Sequence, residues 1–321
     1  MRKLTIRLLV LLFIISCQKN NTVSNIANDN INANTKRNCA SPQLFQQQLA
    51  TDPSLAARVQ GIEENTRRAI ASGEVLRMKA PNIKIPVVVH ILYNTTEQNI
   101  SDAQIQSQID ALNEDYNLKN RDNSLVPSIF AGRKADVGVS FVLAQTIRKY
   151  TAKKTWPVSD NMKYDSRGGS NTVDPAHNLN IWVCNLGQGT LGFSYYPGIK
   201  PELDGVVILY DAFGRTGTLI NPFDRGRTAT HEVGHWLNLH HIWGDATCGD
   251  DLVADTPLHT TANFGCPAFP LYNNCGDNAI EMTMNYMDYT DDACMYMFSD
   301  GQKERMLALF TSGGPRAGFV Q

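Results

Sequence analysis

Between Ile85 and Tyr93 nearly every position is apolar or β-branched, the pattern of a strand buried on both faces. The rhythm then changes: Ile105, Ile109, Leu112 and Tyr116 recur at helical spacing behind Ser101 and Asp102, which predicts a capped helix. Segments 137–143, 179–183, 190–195 and 205–210 read as further strands, and a helix is expected over about 228–237. A long stretch with little periodicity and many Cys, Asp, Gly and Asn residues follows. A last helix over about 301–310 is capped by Ser299 or Asp300. Upstream, two helical patterns lie between Ser41 and Ser72. The first begins at Pro42; the second carries Leu55, Val59, Ile62 and Ile70, with Asp52 as its N-cap, Pro53 at the first helical position and Gly73 as its stop. This small piece is too short to be a domain of its own. Strands and helices together predict an α/β (α+β) domain of about 240 residues.

The first residues change the picture. Arg2, Lys3 and Arg7 precede an apolar run from Leu8 to Ile15 that is too short to span a bilayer. Basic flank and short apolar run together form an export signal. Ile14-Ile15-Ser16-Cys17 resembles a bacterial lipoprotein cleavage box, which implies lipidation at Cys17 after removal of residues 1–17; the alternative is a plain secretory signal. Either way the mature protein is expected outside the cytoplasm, in the cell envelope or secreted, touching membrane only through a lipid at Cys17. Residues 18–38, rich in Asn, Thr and Ser, read as a flexible linker.

Composition adds less. With 42% hydrophobic and 19% charged residues and a net charge of -2 over 321 residues, the chain is an ordinary globular protein. No like-charge block suggests a nucleic-acid partner. Apart from Cys17 there are six cysteines, four of them in the last quarter of the chain, which suits disulfides in an oxidising compartment.

The informative chemistry begins at Thr230-His231-Glu232-Val233-Gly234-His235. On a helix, His231 and His235 lie four apart on one face and reach one metal ion; Glu232 lies near enough to contact a metal-activated water without ligating. A third ligand comes from His240 or His241. An unbroken helix would separate His231 from His241 by about 15 Å, too far for one zinc. The chain must turn back after His235, and Asn238 tolerates the positive φ that such a turn needs.

The resulting HExxHxxNxxH layout resembles the metzincin metallopeptidase signature, with Asn238 where most members carry Gly; the resemblance favours His241 as third ligand. Further segments resemble the bacterial, cytophagalysin-type branch of the pappalysin family: His241-Ile242-Trp243-Gly244-Asp245, Cys248-Gly249-Asp250-Asp251, Ala254-Asp255-Thr256-Pro257 and Met284-Asn285-Tyr286-Met287-Asp288-Tyr289. The resemblance implies a metzincin-like catalytic domain over 77–321, with a mixed twisted sheet, an active-site helix, a Met-turn and a disulfide-rich C-terminal subdomain. It makes Met287 the Met-turn floor beneath the zinc and brings Tyr289 to the oxyanion; core packing is the alternative for both. It pairs Cys248 with Cys275 and Cys266 with Cys294, where spacing alone allows three connectivities. Segment 187–195 resembles the edge strand that binds peptide substrates, the alternative being a buried strand.

These features imply a zinc endopeptidase acting on peptides or proteins, with Glu232 as general base. A non-catalytic zinc module would not need Glu232, and hydrolysis of another amide stays open. Asp250, Asp251, Asp255 and Thr256 offer oxygens for a calcium ion, or form a solvated acidic loop. Asp291 and Asp292, just past the Met-turn, suggest preference for a basic residue after the cleaved bond. Residues 39–76 read as a pro-segment whose Cys39 fills the metal's fourth position as a latency switch; the alternative is a Cys39–Cys184 disulfide.

Overall fold

The computed structural model describes residues 36–78 and 83–320. The expected signal and the lipidation site Cys17 lie outside the described residues.

Strands β1 (Ile83–Tyr93), β2 (Val139–Tyr150), β3 (Leu179–Cys184), β4 (Gly192–Ser194) and β5 (Val206–Leu209) form one sheet in the order β2-β1-β3-β5-β4. All neighbours are parallel except β4, which runs antiparallel to β5 at the edge. The sheet is thus mixed, and its central strands are buried on both faces, which is why they read as unbroken apolar runs. Alternation divides them: Val87, Val89, Ile181, Val183, Val206 and Ile208 face one core cluster. Trp182, Cys184, Val207 and Leu209 face the other.

Helix α4 (Asp102–Asp115) links β1 to β2 and packs on the first face together with α5 (Arg227–Trp236) and α6 (Asp300–Ala308). The Ser101 hydroxyl accepts from the Gln104 amide at the start of α4; Ser299 and Gln302 form a reciprocal capping box at α6. Strand β2 runs seven residues past the expected Leu143, because its polar outer half pairs along the full length of β1.

The N-terminal helices α1 (Ser41–Thr51), α2 (Leu55–Ala71) and α3 (Glu74–Arg77) are packed onto this body, α1 against β4 and α2 and α3 against α6. Helix α2 starts later than Asp52-Pro53 suggests. The Asp52 carboxylate accepts from both the amide and the hydroxyl of Ser54, so it closes a local turn and Ser54 becomes the N-cap. Gly73 lies just past the helix with φ 67°.

The aperiodic stretch after α5 holds two disulfides, Cys248–Cys275 and Cys266–Cys294, while Cys39 and Cys184 are free buried thiols. The bridges substitute for a periodic apolar face in a segment that has none.

Candidate metal centre

Helix α5 presents His231 and His235 one turn apart. It ends at Trp236, and Asn238, at φ 69°, reverses the chain so that His241 returns to the same point. The Nε2 atoms of His231 and His235 lie 3.2 and 3.1 Å from that of His241. Each Nδ1 faces an oxygen: the Tyr286 carbonyl at 2.7 Å, the Leu239 carbonyl at 2.7 Å and Asp245 Oδ1 at 2.5 Å respectively. A carbonyl only accepts, so Nδ1 carries the proton in His231 and His235 and Nε2 is left with its lone pair. Three such lone pairs converging on one point repel unless a cation lies between them. Ligands of a tetrahedral zinc sit about 3.3 Å apart, given Zn–N bonds of about 2.0–2.1 Å. The donor set fits zinc. Burial, and the neighbouring imidazoles, hold His231 and His235 well below the ordinary imidazole range, which keeps them neutral as ligands must be.

His240 takes no part in this convergence. Its ring stacks on Tyr196 with centroids 5.2 Å apart, and burial pushes it down to about 4. The fourth member of the cluster is Cys39, whose Sγ lies with the three imidazoles inside a 4.8 Å group, the one such group among the described residues.

Glu232 faces the same space. Its carboxylate accepts from the Cys39 thiol at 3.3 Å and the Ser41 hydroxyl at 3.0 Å. Burial raises it to about 7, against the pull of those hydrogen bonds and of the Arg37 charge. Gly192 leaves it room, since a Cβ there would come 2.8 Å from Glu232 Cγ. Below the helix, a Cβ at Gly234 would meet the Met287 sulfur at 2.5 Å, so the glycine inside the motif lets the methionine lie flat beneath it. Tyr289 packs edge-on to His241, and its hydroxyl bonds the Cys39 carbonyl at 3.2 Å and the Cys39 amide at 3.3 Å. Burial raises its phenol well above the ordinary range, so it remains a donor.

Segment 38–40 lies along the outer side of β4 as an added strand. Leu191 donates to the Asn38 carbonyl at 2.9 Å and Ala40 donates to the Gly192 carbonyl at 3.1 Å. Strand β4 is therefore an edge strand, and its free edge is taken by the chain itself. Arg37, at the end of the stretch read as a linker, is instead buried. It pairs with Asp292 Oδ1 at 2.5 Å and donates to Thr228 Oγ1 at 3.1 Å. Asp291 is half-buried and makes no ion pair among the described residues.

Not every expected ligand gathers. Asp251 accepts from Thr256 Oγ1 at 2.8 Å, and burial raises it to about 7. Asp255 turns away to Ser299 and Gly301 at the start of α6, and Asp250 accepts from the Leu252 amide. The four expected calcium ligands are thus divided between two local jobs, closing a loop and capping a helix.

Sequence reasoning gave no role to Asp245, Ser41 or Arg37. Asp245 stood in a motif without a visible partner, because its contact with His241 exists only after the turn at Asn238. Ser41 and Arg37 flank Cys39, and their contacts cross some 190 to 255 residues.

The comparisons with known proteins agree with this geometry. The family model described as pregnancy-associated plasma protein-A matches residues 163–311. An extracellular metalloprotease of Arthroderma benhamiae is 32% identical over 234 residues, spanning 70% of this chain and 76% of that protein. Among solved structures, a promirolysin mutant of Tannerella forsythia matches with a TM-score of 0.80 and 43% identity, over 88% of this chain and 97% of its own. Mature mirolysin of the same organism, in complex with a cleaved peptide, matches with a TM-score of 0.71 and 46% identity, over 74% of this chain and 95% of its own. The chain belongs to the pappalysin family of metzincin zinc metalloendopeptidases.

Proposed function

We propose that this chain is exported as a latent zinc endopeptidase, in which Glu232 is the general base and residues up to about Leu76 form a removable pro-segment. The observation that carries the reading is the contact of Cys39 with both halves of the catalytic apparatus, the three-imidazole cluster and the Glu232 carboxylate.

Zinc held by His231, His235 and His241 supplies a Lewis acid that lowers the pKa of water toward neutrality. Glu232, facing the same space as the three imidazoles, is placed to take a proton from water and return it to the leaving amine. Tyr289 already donates to a peptide carbonyl, that of Cys39, and the same hydroxyl is suited to an oxyanion there. The edge of β4 offers main-chain partners to an extended substrate once 38–40 has left. Asp292 is the acid that sets preference for a basic residue after the cleaved bond; Arg37 occupies its pocket as a stand-in for that residue.

Latency is supported in two further ways. Cys39 is a free thiol rather than a partner of Cys184. The match to the pro-form of mirolysin also covers more of this chain than the match to the mature form. Export rests on the N-terminal signal pattern and on relatives named as extracellular metalloproteases. Lipidation at Cys17 rests on the sequence alone. A structural calcium ion at Asp250, Asp251, Asp255 and Thr256 rests on the sequence alone, and its test is a rise in Tm with calcium across the millimolar range.

The decisive experiment is digestion of a peptide library by processed protein, with and without a zinc chelator and with Glu232→Ala. Cleavage before basic residues that needs both the metal and Glu232 is expected. A Glu232→Ala protein that retained zinc and still cleaved peptides would falsify the mechanism.

A further inference from the structure

Helix α2 covers a second polar pocket, at the far end of the metal helix from Asp292. Its Glu63 carboxylate accepts from Arg305 Nη2 at 2.5 Å and from Asn238 Nδ2 at 3.0 Å. The guanidinium is itself fixed, because Arg305 Nε donates to the Asn238 carbonyl at 2.7 Å. Arg305 is 3% exposed and has no other ion pair among the described residues. Burial pushes the Glu63 carboxyl up, and the Arg305 charge and hydrogen bonds outweigh that, so the group stays below its ordinary range. The pocket thus holds a carboxylate in its charged form. Tyr196 connects it to the metal centre, meeting His235 edge-on at 5.3 Å and stacking on His240.

Removal of the pro-segment takes Glu63 away and leaves the arginine. A buried guanidinium deprived of its acid, and still pinned in place by a main-chain carbonyl, is a preorganised anion site. Thr228, beside the Asp292 pocket, and Asn238 are ten residues apart along α5 and its end, about 15 Å. The ligating histidines lie between them. An extended peptide advances about 3.3 Å per residue, so two residues about four or five positions apart on the same peptide reach both pockets. Segment 38–41 already follows β4 as far as Ser194, whose amide donates to the Ser41 hydroxyl at 2.8 Å, and Tyr196 lies two residues on.

We propose that the Arg305–Asn238 pocket vacated by Glu63 is a subsite of the mature enzyme for an acidic residue of the substrate, four or five positions ahead of the cleaved bond. The proposal rests on the reading of residues up to about Leu76 as a removable pro-segment.

Its test uses full-length protein allowed to process itself, and quenched peptides sharing one core with arginine after the cleaved bond. Glutamate, glutamine and lysine are placed in turn at the second to sixth positions ahead of that bond. Glutamate at the fourth or fifth position should exceed glutamine roughly tenfold in kcat/KM, mainly through KM, with lysine below both. The advantage should shrink as salt is raised toward about half molar. Arg305→Gln should bring glutamate and glutamine within about twofold. Should that variant fail to fold, Asn238→Asp retains a residue that tolerates the turn, sets a carboxylate against the incoming acid, and should abolish the same advantage. Indifference to glutamate at all five positions, with arginine after the bond still preferred, overturns the subsite and leaves the endopeptidase reading standing. A glutamate advantage that survives either folded variant also overturns it. Failure of the processed protein to cleave any peptide defeats the proposed function, and the subsite with it.

Discussion

A methyl group at Gly234 would press on the Met287 sulfur from 2.5 Å, so this fully buried methionine would have to shift beneath the ligating helix. Gly234→Ala is therefore expected to destabilise by about 1–3 kcal/mol, seen as a lower Tm, and to weaken zinc retention. Asn238 makes the converse case, since its backbone rather than its side-chain volume is special. Asn238→Gly should keep the turn, and with it zinc, whereas Asn238→Val should lose about 1–2 kcal/mol or more and displace His241; zinc content per chain distinguishes them. Asp115 supplies a pH dependence away from the metal. It is buried against Thr230, Tyr286 and Arg227, and burial raises it from 3.8 to about 6 despite them. Between those two values the folded state holds a proton that the unfolded state lacks. The stabilisation is full below about pH 4 and lost as pH rises through 6, amounting to at most about 3 kcal/mol. Asp115→Asn removes that term, so the Tm of the variant minus that of the unmodified protein should grow more positive from pH 4 to above 6. A difference that stayed flat would contradict the assignment.

At the scale of elements, the stretch between α5 and α6 is held by cross-links where other segments use a packed apolar face. Breaking Cys266–Cys294 by Cys266→Ser is expected to lower stability by about 2–4 kcal/mol, and because Cys294 adjoins Asp291 and Asp292, to loosen selectivity for a basic residue as well. Denaturant unfolding and the cleavage profile read the two effects separately. Helix α5 shows how far local pattern reaches. The ligand spacing and the turn residue were legible, because each is expressed within eleven positions, whereas the need for Gly234 was not, because it is set by Met287 far along the chain. The start of α2 was misread for a related reason. Asp52 satisfied a nearer donor than the helix, and a local competition of that kind is not visible in residue order. The contacts of Asp255 illustrate the same limit, since its partners lie 44 to 46 residues away, at α6.

At the scale of the whole molecule, the described N-terminal segment is a β-bridge at Cys39 and three helices, and it reaches the metal cluster, Glu232 and Arg305. Cys39→Ala should shorten the lag before self-processing, and an equal lag in mutant and unmodified protein would argue that Cys39 is only a packed thiol. The sequence by itself determined the His231–His235 pair with Glu232 beside it, the need for a turn after His235 and the apolar runs of the buried strands, because helical and strand periodicity are short-range rules; His241 and the Met-turn came from the family resemblance. Only the tertiary structure decided that segment 190–195 yields an edge strand, that 38–40 lies along its free side, and that Asp292 rather than Asp291 meets Arg37. It alone joined Glu63 to Arg305. The physical reason is common to these: an edge, a pocket or an ion pair is defined by which surfaces fold against each other across hundreds of residues, and the energy that selects them belongs to the packed state, not to any segment of the chain.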